Sequence, residues 1–597
     1  MRSWRAEKLF LLLIPLLLLL SGCCGAEEGI YNLRLSVGEA KTYGLVEIDF
    51  DTDLPFTNPY DPDDIAIDAV FTSPSGVEIV YPAFYNRTDR DLNEDFVPKR
   101  DGSDYRYNTK TKQFVFKPYE GEHWTIRFSW GEPGAYIFRL NARIKGETLT
   151  FDGGSFVLTE SVEPGPVTLS SGGYLMYAGS GKQFFPVGTD NAQHYDTAGY
   201  SRIFDALSEN GGNFCRIWSG TDYGYSSLTI ENWVYGAGLY NLDMAQAFDR
   251  VLLKARQTDV KLSVCFDSFT ALSRNETYYG QFGTYGIYGK VFGGFIDEPQ
   301  EFWENEDCRR TYKNRVRYLI ARCGWDTNVA LWELMNEIDG TNDFASCQTE
   351  AALWVNEMRL YIQSVDPYAR PVGVSFAGGD TAASSYPRFD AVAHPDFIQV
   401  HKYDATDVCG SMNLLVRNGK AFSGTVLVGE FGLSDNYASS DVNFEYWRMG
   451  MWSGLMSGSA CVPMYWYCDN LCASPAIEKL IAIRRFTDAF DFVSEGLTDV
   501  DASVSNALGF RGLINDSGTR TAVYVWNKAY RWNNPNAVPA ENARLQINHL
   551  QPGMYTVTIW DTENGEIRSE LIMECSGDLI INLDTVARDI AVMVQAV

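Results

Sequence analysis

The stretch VALWELMNEIDG, residues 329–340, is a short apolar run that reaches a carboxylate, Glu337, and then turns into a loop. Residues 426–434, VLVGEFGLS, repeat the arrangement around Glu430. Apolar runs of this length that stop at loop residues read as buried parallel strands. A parallel α/β barrel carries its chemistry at the C-terminal mouth of such strands. Two carboxylates facing one sugar bond are the minimum apparatus for glycoside hydrolysis, so the pair points to an enzyme that cuts glycosidic bonds.

Working outward, six further runs share this character: FFPVGTD (184–190), NFCRIWSG (213–220), KLSVCFDS (261–268), PVGVSFA (371–377), FIQVHKYD (397–404) and CVPMYWYC (461–468). Helical patterns lie between them, at 200–211, 245–259, 309–324 and 350–365. Eight strand–helix units over residues 170–492 predict a (β/α)8 TIM barrel. The aromatic-rich stretch from Ser273 to Trp303 follows the third strand and is expected to form part of the cleft wall.

Both flanks read differently. In AYIFRLNARI, Tyr136, Phe138, Leu140 and Ile144 alternate with Arg139, Asn141 and Arg143, the period-2 pattern of a half-buried antiparallel strand. Asn58-Pro59, Asp61-Pro62, Ser73-Pro74 and Asp152-Gly153-Gly154 supply turns. Strand patterns return at TAVYVWN, ARLQINHL, MYTVTIWD and IAVMVQAV after residue 495. The expected architecture is multidomain: the central barrel flanked by an N-terminal β-sandwich (28–165) and a C-terminal β-sandwich (495–597).

The formal charge, 49 − 77 = −28, repels phosphate and argues against a nucleic-acid partner. Residues 1–22 read as a signal peptide, with Arg2, Arg5 and Lys8 preceding an apolar stretch from Leu9 to Leu20. That stretch is too short to span a bilayer comfortably. Leu20-Ser21-Gly22-Cys23 resembles the lipobox of bacterial lipoproteins, which implies cleavage before Cys23, lipidation there, and an exported protein held on a membrane by its lipid. Beyond Cys23 and Cys24 the chain has ten cysteines in no regular framework. Cys215 and Cys265 read as small core residues. Cys461, Cys468 and Cys472, with no nearby His, give little support for a metal site. No cofactor is implied.

With these residues in view, the barrel resembles a clan A glycoside hydrolase, close in style to family 5. In that clan an Asn-Glu pair ends strand four and its Glu is the acid/base; here that implies Asn336-Glu337. The nucleophile ends strand seven, which implies Glu430. Arg216 in NFCRIW takes the place of an Arg near the nucleophile. His401-Lys402-Tyr403 matches the His-x-Tyr of strand six, with Tyr403 holding the nucleophile. A Trp on strand eight floors the site of cleavage, and Trp466 is the candidate, with Tyr465 as competitor. Asp190, Asn191 and His194, after strand one, are candidates to line the sugar site. Family 5 members often show a His near the end of strand three, where this chain has Cys265-Phe266-Asp267-Ser268. The N-terminal region loosely resembles a domain of unknown function found before such barrels, through its EIDF, NPYDP and FTSPSG segments.

Physical chemistry assigns the roles in the same way. A retaining glycosidase needs one carboxyl protonated and one ionised at the same pH. Arg216 and a Tyr hydroxyl favour an ionised Glu430, while an apolar wall and a neighbouring carboxylate favour a neutral Glu337. Asn336 would offer an uncharged donor to a sugar hydroxyl. Glu333 shares strand parity with Glu337 and reads as a buried structural carboxylate. The expectation is a retaining hydrolase of β-glycosidic bonds in a polysaccharide or oligosaccharide. The rival is a catalytically inactive carbohydrate-binding lipoprotein.

Overall fold

The computed structural model describes residues 29–99, 106–108, 113–116, 120–220, 226–378, 385–434 and 440–597. Cys23 and the rest of the N-terminal segment lie outside the described residues.

At the centre is a parallel sheet of seven strands in sequence order: β1 (Gly188–Asp190), β2 (Phe214–Trp218), β3 (Lys261–Cys265), β4 (Val329–Glu333), β5 (Val372–Phe376), β6 (Phe397–Tyr403) and β7 (Val426–Gly432). Every residue of β1 to β5 and of β7 is buried, which is why these strands read as apolar runs rather than as alternation. The sheet is nearly closed, consistent with a TIM barrel.

The eighth predicted strand takes the closing position without becoming a regular one. Backbone N–H groups of Ala460 and Met464 donate to Val426 and Val428 at 2.7 and 3.0 Å, and that of Val462 donates to Pro186 at 2.9 Å. Only Phe431 and Tyr465 pair as an isolated parallel bridge. Pro463 in the middle of the run has no N–H to give a ladder.

Helices pack outside: α1 (Thr197–Glu209), α2 (Leu242–Gln257), α3 (Glu306–Cys323), α4 (Gln348–Val365), α5 (Val408–Ser423), α6 (Glu445–Met456) and α7 (Lys479–Ala489). The first three begin about one turn before the sequence pattern suggests. Asp196, Asn241 and Asn305 cap them, each side chain accepting from a backbone N–H of the first turn.

Before the barrel lie two mainly antiparallel sheets. One has the order 30–35, 46–52, 122–128, 84–87; the other has the order 39–41, 147–159, 134–144, 65–72, 78–82. Rings from the two meet, Phe71 and Phe128 having centroids 4.1 Å apart. After the barrel come a six-stranded sheet and a three-stranded sheet, with their own apolar core around Val523, Leu545, Val557, Ile581 and Val592.

Buried ion pairs tie these blocks to the barrel. Arg127, on the 122–128 strand, donates to both carboxylate oxygens of Asp249 on α2 at 2.7 and 3.0 Å, and Arg322 of α3 shares that carboxylate. At the other end Arg448 of α6 grips Asp589 at 2.5 and 2.7 Å. Both arginines are nearly or fully buried, so breaking either pair would leave a charge short of neutralisation and away from water. The ten cysteines of the described residues are unpaired thiols, eight of them buried.

Candidate active site

The site is assembled where β2, β4, β6 and β7 end. Arg216, on β2, is fully buried and organises it. Its Nε and Nη2 donate to the two oxygens of Glu333 at 2.7 and 2.8 Å. Nη1 donates to Asp190 at 2.5 Å and to Glu430 Oε1 at 2.7 Å, and Nη2 also reaches Asn336 Oδ1 at 2.7 Å. Tyr403 donates its hydroxyl to Glu430 Oε2 at 2.6 Å. His401 Nδ1 lies 2.8 Å from Glu337 Oε1 and 3.5 Å from Glu430 Oε2. One oxygen of Glu337, one of Glu430 and a ring nitrogen of His401 all lie within 4.8 Å of one another.

Two backbone irregularities aim the carboxylates. On β6 and β7, Val400 pairs with Val428 but His401 pairs with Glu430, so Gly429 is an extra residue, a bulge that brings Glu430 level with His401. A Cβ at Gly429 would come within 2.4 Å of Gln399 Oε1 and 3.0 Å of His401 Nε2, so a larger residue there would displace the Gln399 amide. Glu337 has φ 50° and ψ 55°, the left-handed region, which a non-glycine residue occupies at a cost. Its N–H donates to Ser375 Oγ of β5 at 2.8 Å, and that bond helps hold the turn.

One guanidinium cannot neutralise four carboxylates, and their proton affinities separate accordingly. Burial alone would raise the carboxyl of Glu333, but the charge and hydrogen bonds of Arg216 outweigh it and hold Glu333 below the usual range. Burial pushes Asp190 well up, against the pull of Arg216. Burial, opposed by Arg216 and helped by Glu333, lifts Glu337 to about 7. Glu430 is also raised by burial, with Glu337 adding to it and with His401, Arg216 and the Tyr403 hydroxyl opposing. Glu430 accepts from two donors that favour its anion, whereas Glu337 has only His401 beside it. The anion of Glu430 is thus the better supported by hydrogen bonds. His401 itself is held below its ordinary value, chiefly by burial.

The predicted residues fall into two groups. Glu337, Glu430, Arg216, Asn336, His401 and Tyr403 converge on one centre. Asn336 spends its carbonyl on Arg216, and its amide nitrogen has only a long 3.5 Å contact with Ser268, which leaves N–H available to a ligand. Asn191 and Trp466 lie beside that centre and line a cleft of about 260 Å³ with Gln193, Tyr467 and Asp469. Trp466 is half-buried against Trp218, while its competitor Tyr465 is 1% exposed among Phe431, Phe444 and Trp447. Asp190 corrects the expectation: at 0% exposure and bound to Arg216, it supports the arginine from behind and does not line the cleft.

Gln399 and Ser375 were not anticipated. Gln399 donates to Glu333 Oε2 at 2.6 Å, and Ser375 holds the Glu337 turn. Gln399 has the strand parity of His401 and Tyr403, and Ser375 is a lone hydroxyl in an apolar run; both signals were present. Glu337, His401 and Glu430 are close enough to share a cation, but Arg216 and Tyr403 already occupy the oxygens of Glu430.

No protein-family model matches the chain. Mannan endo-1,4-beta-mannosidase 3 of Arabidopsis thaliana is 29% identical over 205 residues, 32% of this chain and 46% of its own length. Mannan endo-1,4-beta-mannosidase 7 of Oryza sativa subsp. japonica is 26% identical over 226 residues, 36% of this chain and 56% of its own length. The chain thus spans about half the length of these curated relatives. A crystal structure from Bacteroides vulgatus ATCC 8482, provisionally assigned as a glycoside hydrolase, aligns over 94% of this chain and 100% of its own, with TM-score 0.59 at 13% identity. That likeness supports the arrangement of the fold.

Proposed function

We propose that this protein is a retaining glycoside hydrolase that cleaves β-glycosidic bonds in a polysaccharide or oligosaccharide. The observation that carries the reading is the pair Glu337 and Glu430. An oxygen of each lies within 4.8 Å of the other; burial raises both carboxyls, but Arg216 and Tyr403 donate to Glu430 and so favour its anion. Inverting pairs stand about 6.5–9.5 Å apart to admit a water between them, whereas retaining pairs stand about 5–5.5 Å apart.

In this reading Glu430, ionised against Arg216 and Tyr403, attacks the anomeric carbon. Neutral Glu337 gives its proton to the departing glycosidic oxygen, and the sugar is left as an ester on Glu430. Glu337, now a carboxylate, takes a proton from water as that water attacks the same carbon. The ester bond breaks, Glu430 regains its charge, and Glu337 is neutral again. His401 remains beside Glu337 in both states: its Nδ1 accepts from the acid in one tautomer and donates to the carboxylate in the other. The free N–H of Asn336 is placed for a sugar hydroxyl, and Trp466 offers a ring face for the sugar.

Relatives named for β-1,4-mannan make mannan the first polymer to assay. Proton NMR of the first-formed product tests the mechanism: the β-anomer is expected, and early release of the α-anomer would mean inversion. We further read residues 28–165 and 495–597 as β-sandwich domains flanking the 170–492 barrel, and Cys23 as a lipidation site on an exported, membrane-anchored protein. Labelling cells with a fatty-acid probe tests the anchor, with label expected on the wild type and lost in Cys23→Ala.

A further inference from the structure

We propose that Trp233 and Tyr285 form a sugar-stacking site remote from the carboxylate pair, which grips a glycan chain extending along the mouth of the barrel. The inference rests on the glycosidase reading and narrows its substrate to chains of several sugars. Trp233 is 41% exposed, the only exposed tryptophan among the described residues, and Tyr285 is 39% exposed. Their ring centroids are 5.5 Å apart at 50°. Two large rings that touch each other and still face solvent leave apolar surface uncovered, and flat rings of this kind suit the C–H faces of pyranose sugars.

Their position links them to the chemistry. Trp233 lies in the connection between β2 and α2, and Tyr285 in that between β3 and α3, so both are on the C-terminal face where Glu337 and Glu430 lie. The two connections are fastened from below. Arg315 of α3, fully buried, donates to Glu231 at 3.2 Å and to Asp267 at 2.7 Å, and the Tyr288 hydroxyl joins the same Asp267 oxygen at 2.9 Å. Glu231 is two residues from Trp233, and Tyr288 is three from Tyr285. One buried cation thus locks the bases of both loops, and rings on a fixed base bind with little ordering cost. The carbonyl of Asp267 also accepts from the Asn336 N–H at 2.8 Å, so the platform and the acid/base turn share one support.

The test uses the full chain with Trp233→Ala, Tyr285→Ala and Trp233→Phe. Hydrolysis of a polymeric β-glycan and of a single-sugar aryl β-glycoside is compared. Each alanine variant should raise KM on the polymer about tenfold, with kcat and the aryl glycoside unaffected, and Trp233→Phe should recover most of the loss. Equal losses on both substrates, or no loss on the polymer, would overturn the site. Should the wild type hydrolyse no glycoside, the glycosidase reading fails by itself. Gel retardation by immobilised mannan then decides the platform: retardation lost in Trp233→Ala upholds it, and equal mobility of the two proteins overturns it.

Discussion

Arg216 and Glu333 form a two-pronged pair at the centre of the barrel, Nε to Oε2 at 2.7 Å and Nη2 to Oε1 at 2.8 Å, with neither side chain open to solvent. The pair fixes the guanidinium plane, and its remaining donors then point at Asp190, Glu430 and Asn336. Removing Glu333 leaves a buried charge short of its main partner. Glu333→Ala should lose about 3–5 kcal/mol in urea denaturation. It should also lose activity, because Nη1 no longer has a fixed direction toward Glu430.

The two carboxylates should fail in different ways. Glu430→Ala should abolish turnover of every glycoside. Glu337→Ala should lose about 10²–10⁴-fold on substrates with poor leaving groups, and far less on dinitrophenyl glycosides, whose first step needs no proton. Initial-rate measurements across a leaving-group series check this. Parallel losses in both variants would reverse or void the assignment.

In the proposed mechanism Glu337 enters the reaction protonated, and burial lifts its carboxyl to about 7. Activity should therefore fall as pH rises through about 7. The limb on the acid side reports protonation of Glu430. A profile of kcat/KM against pH shows both limbs; an alkaline limb that survives in Glu337→Ala would belong to another group.

Tyr403 donates to Glu430 at 2.6 Å and so favours its anion. A hydrogen bond to a charged group contributes about 1.5–3 kcal/mol. Tyr403→Phe should raise the proton affinity of Glu430 and move the acid limb up by about one to two pH units. The alkaline limb should stay in place.

At the far end of the chain, Arg448 and Asp589 join the barrel to the C-terminal sheets. Asp589→Ala should cost about 3–5 kcal/mol, because Arg448 stays buried with only part of its neutralisation. Asp589→Asn keeps hydrogen-bonding capacity and should cost less. Thermal unfolding of both variants separates the two effects.

The barrel was legible because buried parallel strands are written as continuous apolar runs, and seven of the eight predicted runs form strands. The eighth shows the limit. The composition of CVPMYWYC fits a strand, but Pro463 has no N–H to donate and interrupts the pairing. Ile567–Cys575 is largely exposed and was missed, since an exposed edge strand lacks the alternation that marks a half-buried one. In the site, Glu337, Glu430, Arg216, Asn336, His401 and Tyr403, which have a recognisable setting in sequence, come together at one centre. Asp190 was misplaced because sequence shows which strand end a residue occupies, but not whether it lies behind or on the cleft wall. The bulge at Gly429 and the left-handed Glu337 depend on pairing across strands and could not be read from one run alone.

The irregular closing segment gives the barrel a seam. Residues 460–466 exchange four backbone hydrogen bonds with β7, but toward β1 the described contacts are one backbone bond, Val462 to Pro186, and the Thr189 hydroxyl on the Tyr465 carbonyl. Amide hydrogen exchange should open first along this line, ahead of the strands that carry Arg216 and Glu430. Trp466 belongs to this closing segment: its N–H donates to the Phe431 carbonyl of β7 at 3.1 Å, and its ring lies against Trp218 across the seam. Under the proposed mechanism, compliance at this seam would fall on the segment that carries Trp466, while Arg216 and Glu430 stay on fully laddered strands.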